Sequence, residues 1–410
     1  MSLTTEQREA VNEWVQDHED DLVSFLQDLV SLHSATTIGE DEEEVAKRIL
    51  QEMEDLDYDE AFIDEFGNVH GVIEGKSDEA VMFNSHIDTV GPGDLDQWDW
   101  DPYAAEIEDG KMYGLGTSDM KCAMAAMVYG GAAIKALGFT PEHDMYVTGE
   151  LMEETREGHS MKYVFENMDV DWRAVVIGEA SEMRVKRGHR GRSEWRIELD
   201  GKSSHASAPE RGINPLYHAS EVLQRIEELN EETADHDFLG KGTIVASNLE
   251  VSTPSNNAVP AAATIYIDRR HTLGEDEETV RNELQDAVDA AVEVYGDDVD
   301  ANIEMQMYDD PSWTGYELES PKYMPTWLLE EDHWLVEDTK AIVDEVLQKD
   351  TEVTKWTFST SGNYTMGVAE VPTIGFGPSE EEWAHMANER VTVENVVKAA
   401  GVYAGLGFKL

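Results

Sequence analysis

The chain has 410 residues, enough for two domains that each bury a core. Its 88 acidic side chains against 30 basic ones give a formal net charge of −58, which argues against nucleic acid and anionic membranes as partners, because both are bound through clustered Lys and Arg. Because 40% of the residues are hydrophobic, we exclude an acidic disordered protein and predict a folded, halophilic protein whose self-repulsion is screened by concentrated salt.

The number of cysteines and the N-terminal sequence bear on the cellular compartment of the protein. Cys122 is the only cysteine, so no intramolecular disulfide can form, which fits a reducing cytoplasm. By itself this cysteine is most simply a small buried side chain. The first residues, MSLTTEQREAVNEW, contain no basic region followed by an apolar stretch, and no run of about 18 apolar residues occurs in the sequence. We therefore expect a cytoplasmic protein without a membrane segment.

Predicted strands and helices alternate in the first part of the chain. Apolar spacing predicts helical structure across residues 4–32 and in EDEEEVAKRILQEME after Gly39. Strands are predicted at VHGVIEG and AVMFNS, then a buried helix at MKCAMAAMVYGGAAIKALG, then further strands at DMYVTGEL and AVVIGEA. This order predicts an α/β fold with a mostly parallel mixed sheet flanked by helices.

The pattern changes at about residue 187. Alternating strands such as SEWRIELDG and ATIYIDRRH are now combined with long amphipathic helices, which predicts an inserted α+β domain. A Pro- and aromatic-rich passage then leads back to a helix and a buried strand, VPTIGFG. We predict a first domain made of residues 1–186 and 306–410, interrupted by an insertion at 187–305.

Charged side chains follow the predicted strands and the start of one predicted helix. They are His86 with Asp88, Asp119, Glu153 with Glu154, Glu179, and His385. Ligands of α/β sheets bind beyond the carboxyl ends of the strands, and two imidazoles with three carboxylates suit two divalent cations such as zinc, with one aspartate bridging them. Singly, each has a plainer explanation: Asp119 could cap the following helix, and paired glutamates recur throughout the chain. In GLGTSD that aspartate also breaks the dinucleotide-binding pattern of glycines.

Taken together, these stretches resemble a known family. SHIDTV, GLGTSDMK, GELMEET, IGEAS and HMANE are similar, in this order, to the metal motifs of the acetylornithine deacetylase, succinyl-diaminopimelate desuccinylase, aminoacylase and glutamate carboxypeptidase family. The resemblance covers nearly the whole chain. It implies a zinc-peptidase-like catalytic domain with an inserted lid and dimerisation domain, and therefore a homodimer.

The resemblance also implies a role for each candidate residue. One metal would be held by His86, Asp119 and Glu179. The other would be held by Asp119, Glu154 and His385, so that Asp119 bridges both. Glu153 would be the general acid/base, and Asp88 would orient the imidazole of His86, as carboxylates beside metal-bound histidines do.

Two stretches of the insertion resemble the family's substrate-binding segments. GKSSHASAPERGINP implies that His205 reaches the active site, often that of a neighbouring subunit, to stabilise the reacting carbonyl. SNNAVP and IDRRHTLGE imply that Asn257 and Arg270 contact a substrate carboxylate, although Arg269 competes for that role. The run RVKRGHRGR, residues 184–192, leaves three readings open: local ion pairs, attraction of an anionic substrate, or a nucleic-acid patch.

The function implied is hydrolysis of an amide bond in an N-acyl amino acid, of deacetylase or desuccinylase type, by a metal-activated water with Glu153 as general acid/base. The expected cofactors are two divalent ions, zinc with cobalt or manganese as alternatives. A metallo-carboxypeptidase or dipeptidase acting on short peptides would use the same site. An inactive metal-binding scaffold is a third reading, against which the retained Glu153 argues. HSATTIGEDEEE and GHRGRSEW resemble a less characterised hydrolase branch, so the substrate stays open.

Overall fold

A computed structural model describes residues 4–296 and 298–410. The chain divides into two compact units. The first unit comprises the chain up to Gly188 together with 310–318 and 328–410, and the second comprises 189–309 and 319–327. Residues 306–309 and 319–327, which the sequence pattern assigned to the first domain, group with the second unit, and residues 187–188, assigned to the insertion, group with the first. None of the helices in the described part is long and apolar enough to cross a membrane.

The first unit begins with three helices, and strands and helices then alternate. The helices before Gly188 are α1 (Thr5–Asp17), α2 (Glu19–Ser31), α3 (Glu43–Asp55), α4 (Lys121–Ala136), α5 (Glu153–Arg156) and α6 (His159–Asn167). The strands are β1 (Glu60–Ile63), β2 (Val69–Ile73), β3 (Glu79–His86), β4 (Glu106–Glu108), β5 (Lys111–Tyr113), β6 (Asp144–Glu150), β7 (Asp171–Ile177) and β8 (Val185–Lys186). The helical stretch predicted over residues 4–32 is thus two helices, which meet at His18.

The insertion contributes most of the remaining strands. They are β9 (Gly188–His189), β10 (Gly191–Asp200), β11 (Ser204–His205), β12 (Asp235–His236), β13 (Gly240–Lys241), β14 (Thr243–Ser252), β15 (Ala258–Val259), β16 (Ala262–His271), β17 (Asp300–Met305), β18 (Met307–Tyr308), β19 (Ser320–Pro321), β20 (Tyr323–Met324) and β21 (Trp327–Leu328). Its two helices are α7 (Pro215–Glu232) and α8 (Glu277–Tyr295).

The chain ends within the first unit. Its last helices are α9 (Trp334–Leu347), α10 (Gly362–Thr365) and α11 (Val393–Lys409), and its last strands are β22 (Val353–Thr354), β23 (Thr373–Gly375) and β24 (Arg390–Thr392). Short 3₁₀ turns occur at Thr36–Ile38, Leu95–Gln97, Pro209–Arg211 and Glu381–Trp383.

The central sheet of the first unit is mixed, with a parallel middle. Its strand order is β1-β2-β6-β3-β7-β23-β8-β22. Strands β6, β3, β7 and β23 run parallel to one another, whereas β2 pairs antiparallel with β6 at one side and β8 pairs antiparallel with β23 at the other. The predicted α/β class with a mostly parallel mixed sheet is confirmed. Because four parallel neighbours end at one edge, the residues that follow them are brought together there.

Helix α4 packs against α11, and small side chains make that packing close. Residues 121–134 of α4 are all buried, as expected for a helix that is apolar on every side. A Cβ on Gly130 would lie 2.9 Å from the carbonyl oxygen of Ala400, so α11 approaches the backbone of α4 directly. Cys122 is buried on α4, as predicted. The packing on α11 holds the helix that follows Asp119.

The second unit is an antiparallel sheet covered by two helices. The sheet has the order β14-β16-β10-β17, with β20 also pairing with β10. Alternate residues of β10 and β16, among them Trp195 and Ile265, pack with apolar residues of α7 and α8 into one core. Every second residue of these strands is buried, which agrees with the alternation of apolar and polar residues from which the strands were predicted.

Candidate metal centre

The elements of the first unit carry the candidate ligands to one sheet edge. His86 is the last residue of β3, and Glu179 lies two residues beyond β7. Glu153 and Glu154 open the short helix α5 just after β6. Asp119 precedes α4, and His385 lies in the loop after β23. The sequence pattern placed these residues at strand ends and at a helix start, and that is where they lie.

Asp119 lies at the centre of the cluster. Its Oδ1 is 2.9 Å from Nε2 of His86, and its Oδ2 is 3.3 Å from Nε2 of His385. Nε2 of His86 is also 3.6 Å from Oε1 of Glu179, while Nε2 of His385 is 3.0 Å from Oε2 of Glu154. Two groups of three ligand atoms result, each within 4.8 Å, and Asp119 belongs to both.

The residues present fit a pair of divalent cations. Oε2 of Glu179 and Oε1 of Glu153 are buried, and no hydrogen bond to either is found in the part of the chain that the structure describes. A buried carboxylate oxygen without a partner is costly, so the oxygen of Glu179, which belongs to a ligand group, fits contact with a bound cation. Two imidazoles and three carboxylates, with Asp119 common to both groups, form a suitable donor set for zinc. Asp119 does not serve as a helix cap: Met120 takes that position without a side-chain hydrogen bond.

Crowding of carboxylates perturbs the protonation of the whole cluster. Burial, reinforced by neighbouring carboxylates, raises the pKa of Glu153 and Glu179 well above the usual value. Burial alone would lower the pKa of His86, but hydrogen bonding to Asp119 and the nearby carboxylates outweigh it and raise this pKa strongly. Hydrogen bonds to Asp119 and Glu154 raise the pKa of His385 to about 10. Binding of divalent cations by these imidazoles would release their protons, so metal affinity should depend on pH.

Asp88 connects strand β3 to the turn that carries the two glutamates. Its Oδ1 accepts the N–H of Glu153 at 3.0 Å, and its Oδ2 accepts the N–H of Glu154 at 3.2 Å and the hydroxyl of Thr36 at 2.8 Å. Nδ1 of His86 lies 3.0 Å from the main-chain oxygen of Asp88, within hydrogen-bonding distance, whereas it lies 3.5 Å from the carboxylate of Asp88. Asp88 therefore contacts the imidazole with its backbone and holds the glutamate turn with its side chain.

Sequence reasoning missed a buried carboxylate that supports Asp119. Oε1 of Glu389 accepts the N–H of Ser118 at 2.7 Å and that of Asp119 at 3.0 Å, and the side chain is 1% exposed. Lys121, two residues further on, is also buried and donates to the carbonyl oxygens of Leu29 and Leu32. These bonds fix the loop that carries the bridging aspartate. Glu389 lies four residues after His385, but among 88 acidic residues its sequence gives no signal of burial.

His205, Asn257 and Arg270 all lie in the second unit. His205 is exposed in β11, and the N–H of the next residue donates to the carbonyl oxygen of Asn257 at 2.8 Å, so these two candidates are neighbours. Arg270 is near the other end of β16, eight residues beyond Ala262, which corresponds to roughly 26 Å of strand. Its Nε donates to Asp268. Arg269 is fully buried and paired with Glu275 and Glu283, so it is not available to a ligand.

The arginine-rich stretch is largely engaged by local acceptors. In the first unit, Arg184 pairs with Glu182 and Glu352, and Lys186 pairs with Glu381. Arg187 donates to the carbonyl oxygen of Leu329. In the second unit, Arg192 pairs with Glu194 and Asp268, and Arg190 donates to the carbonyl oxygen of Lys241. This arrangement favours the local ion-pair reading for most of the stretch.

Comparison with known sequences identifies relatives over most of the chain. Residues 82–408 match the family described as Peptidase family M20/M25/M40. The chain is 39% identical to the uncharacterized protein YgeY of Escherichia coli (strain K12) over 394 residues, which are 96% of this chain and 95% of YgeY. It is 26% identical over 359 residues to the succinyl-diaminopimelate desuccinylase of Hahella chejuensis (strain KCTC 2396), covering 82% and 84% of the two chains.

Solved structures share the two-unit fold. Aminopeptidase PepT from Bacillus cereus ATCC 10987 matches with a TM-score of 0.72 at 20% identity, over 95% of this chain and 98% of PepT. The Bacillus subtilis YxeP protein, described as a dinuclear metal binding peptidase from the M20 family, matches with a TM-score of 0.71 at 13% identity, over 96% and 98% of the chains. With the family match spanning most of its length, the chain belongs to peptidase family M20/M25/M40 and is a hydrolytic enzyme.

Proposed function

We propose that this enzyme hydrolyses the amide bond of an N-acyl amino acid, in the manner of a deacetylase or desuccinylase, with two divalent cations at the candidate metal centre. The observation that carries the proposal is the position of Asp119, whose two oxygens face the imidazoles of His86 and His385 in separate ligand groups. The relative named succinyl-diaminopimelate desuccinylase supports the substrate class. Zinc suits the donor set, with cobalt and manganese as alternatives.

Glu153 is the residue to which we assign the proton transfers. When bound, the two cations supply Lewis-acid activation of water and of the substrate carbonyl. Glu153 belongs to neither ligand group, yet it is buried and close enough to His86 and Glu179 for their charges to act on it, and its Oε1 accepts no hydrogen bond from the described residues. This carboxylate takes the proton of the attacking water and returns it to the nitrogen of the leaving amine. Such general acid/base catalysis contributes about 10² to 10⁴ in rate.

Substrate contacts are assigned to the second unit. We propose that His205 donates to the oxygen of the reacting carbonyl and that Asn257 and Arg270 contact the substrate carboxylate. Because most of strand β16, roughly 26 Å, separates these two residues within one chain, we assign them to different copies of the chain. The exposure of His205 and Asn257 and the partial exposure of Arg270 support these roles. The burial of Arg269 within its own ion pairs supports the choice between the two neighbouring arginines.

A dipeptidase or carboxypeptidase acting on short peptides is the second candidate. The peptidase description of the family and the name of aminopeptidase PepT favour it. The two candidates differ only in the group on the acyl side of the broken C–N bond. The ligands and Glu153 serve either reaction equally, so the distinction rests on the substrate pocket.

A substrate panel tests the proposal. Metal-reconstituted protein is assayed with N-acetyl amino acids, N-succinyl amino acids, dipeptides and C-terminally blocked peptides, with amine release as the readout. We expect turnover of an N-acyl amino acid that is lost on chelation and restored by zinc, cobalt or manganese. Preference for dipeptides would establish the second candidate. Turnover that survives in Glu153→Gln would contradict the role given to this residue.

We also propose a homodimer formed through the second unit. Strand β14 is an edge of its sheet, and within the described residues no strand pairs with its outer side. Val245, Leu249 and Val251 along this strand are 38–52% exposed, which is unusual in so acidic a chain and suits contact with a second copy. Sedimentation velocity should give a dimer that Leu249→Lys with Val251→Lys dissociates. Ile107→Lys, at an equally exposed residue of the first unit, is the control and should leave the dimer intact.

Finally, we propose that the enzyme works in a cytoplasm rich in salt. The lone buried Cys122 suits a reducing compartment, and the net charge of −58 suits concentrated cations.

A further inference from the structure

Glu42 is a buried carboxylate far from the ligand motifs in sequence. It precedes the first residue of α3 and is 1% exposed, yet its side chain makes no capping hydrogen bond to that helix. In the described part of the chain it also takes part in no ion pair with Lys, Arg or His. Its Oε1 instead accepts the N–H of Met152, 110 residues away, at 2.9 Å. A carboxylate buried at the start of α3 therefore acts on the turn that carries Glu153 and Glu154.

Met152 has an unusual backbone conformation. Its φ of 60° and ψ of 23° lie in the left-handed region, although it carries a side chain. Such a conformation is strained and persists where the surroundings hold it. Helix α5, which starts at the next residue, has only four residues and so has little stability of its own. The direction in which the two glutamates leave the sheet therefore depends on contacts from outside the turn.

Side chains from three separate elements supply these contacts. The N–H of Leu151 donates to Oδ1 of Asn68 at 3.2 Å, and the N–H of Met152 donates to Glu42. The next two N–H groups, those of Glu153 and Glu154, donate to Asp88. Four successive backbone donors are thus each taken by a side-chain oxygen. In this series Glu42 holds the one residue with a strained backbone.

We propose that Glu42 is a positioning residue for hydrolysis: through the N–H of Met152 it holds the left-handed turn that places the carboxylate of Glu153 beside the metal centre and that of Glu154 against Asp119 and His385. The inference rests on the function proposed above, because it gives Glu153 and Glu154 their roles. It assigns to the HSATTIGEDEEE stretch a part in the active site that its sequence does not reveal.

Two substitutions separate positioning from a role in stability alone. Glu42→Asp keeps the carboxyl group but withdraws the acceptor from Met152 by one methylene. Glu42→Gln keeps an oxygen at the same distance, and because burial raises the pKa of Glu42 to about 8, glutamine closely imitates the form present at neutral pH. Glu52→Asp is the matched control: Glu52 is also a buried carboxylate on α3, but it accepts from Tyr129 and Arg48, away from the metal centre.

Steady-state kinetics and hydrogen exchange give independent readouts. We expect Glu42→Asp to lower kcat about 10- to 100-fold with little change in KM, and Glu42→Gln to stay within about threefold of the wild type. By mass spectrometry of the metal-free protein, amide exchange in residues 150–156 should be faster in Glu42→Asp and unchanged in Glu52→Asp. Wild-type kcat and exchange in Glu42→Asp, or equal losses in Glu52→Asp, would overturn the proposal. If the wild-type protein hydrolyses no substrate, the proposed function fails, and the exchange result still decides the role of Glu42.

Discussion

Gly377 provides a test of how the sheet positions the metal ligands. It lies two residues beyond β23, against the turn that carries Glu179. A Cβ at this position would lie 2.2 Å from the carbonyl oxygen of Gly178 and 2.4 Å from that of Glu179, whereas ordinary contact begins at 3.4 Å. The backbone of Gly377 is not left-handed, so crowding is the only cost of a side chain here. Gly377→Ala must therefore move the two segments apart by about 1 Å.

This displacement should weaken the metal centre more than the fold. Overpacking of this kind costs about 1–3 kcal/mol, which for a unit of this size corresponds to a Tm lower by roughly 2–5 °C. A ligand moved by about 1 Å loses its geometry, so we expect metal affinity or kcat to fall about 100-fold. The assay is calorimetric titration of the divalent metal into protein from which a chelator has removed the metal, with kcat measured after the metal has been added back.

Gly401→Ala is the control for this prediction. Gly401 lies in α11, and its added Cβ would meet Asn12 at 3.1 Å, a side chain that can move. Alanine in a helix interior should raise the Tm slightly and leave metal affinity as it was. Wild-type metal affinity together with wild-type kcat in Gly377→Ala would refute the reasoning, because it would show that the turn holding Glu179 relaxes independently of β23.

Four further outcomes are expected. Glu153→Gln should keep two metals per chain and lose about 10²- to 10⁴-fold in kcat, whereas Glu154→Gln should lose metal content as well; retained activity in the former would contradict its role. Chelation should lower the Tm, because ions at about 100 times their Kd stabilise the folded state by about 2.7 kcal/mol. Molar KCl should raise the Tm, and equal values in low and molar KCl would count against halophilic adaptation. Burial and the charge of Arg269 lower the pKa of His271 to about 4. The stability contributed by the neutral imidazole is therefore complete above pH 6.5 and is lost as the pH falls toward 4. In urea unfolding, His271→Gln should reduce the loss of unfolding free energy between pH 6.5 and 4 by up to about 3 kcal/mol.

Much of the fold follows from local sequence patterns. Continuous apolar runs predicted β3 and β7 because strands buried on both faces have no polar side to reveal. The break at His18 was not predicted, since apolar spacing continues through it and only the backbone changes direction. Residues 319–327 joined the second unit through the pairing of β20 with β10, a contact between distant segments that composition does not record.

The candidate ligands could be predicted because their chemistry and their place at strand ends coincide. His86 and His385 stood out because each lies in a stretch, SHIDTV and HMANE, that resembles the family's metal motifs. Glu42 and Glu389 could not be found in the same way, because an acidic residue is the commonest polar residue of this sequence. What distinguishes them is burial against a particular backbone N–H, and burial of a single polar side chain is decided by tertiary packing.

The acidity of this chain therefore has two physical meanings that the sequence does not separate. Exposed carboxylates repel one another over distances that salt screens, with a Debye length of about 3 Å at 1 M. The carboxylates of Glu153 and Glu179 are buried beside His86 and Asp119, and screening hardly reaches such groups. Potassium ions in solution can relieve the first kind of repulsion, but only a cation in direct contact can relieve the second. Stability lost on chelation should for this reason not be recovered by KCl, because the acidic surface and the acidic centre respond to different cations.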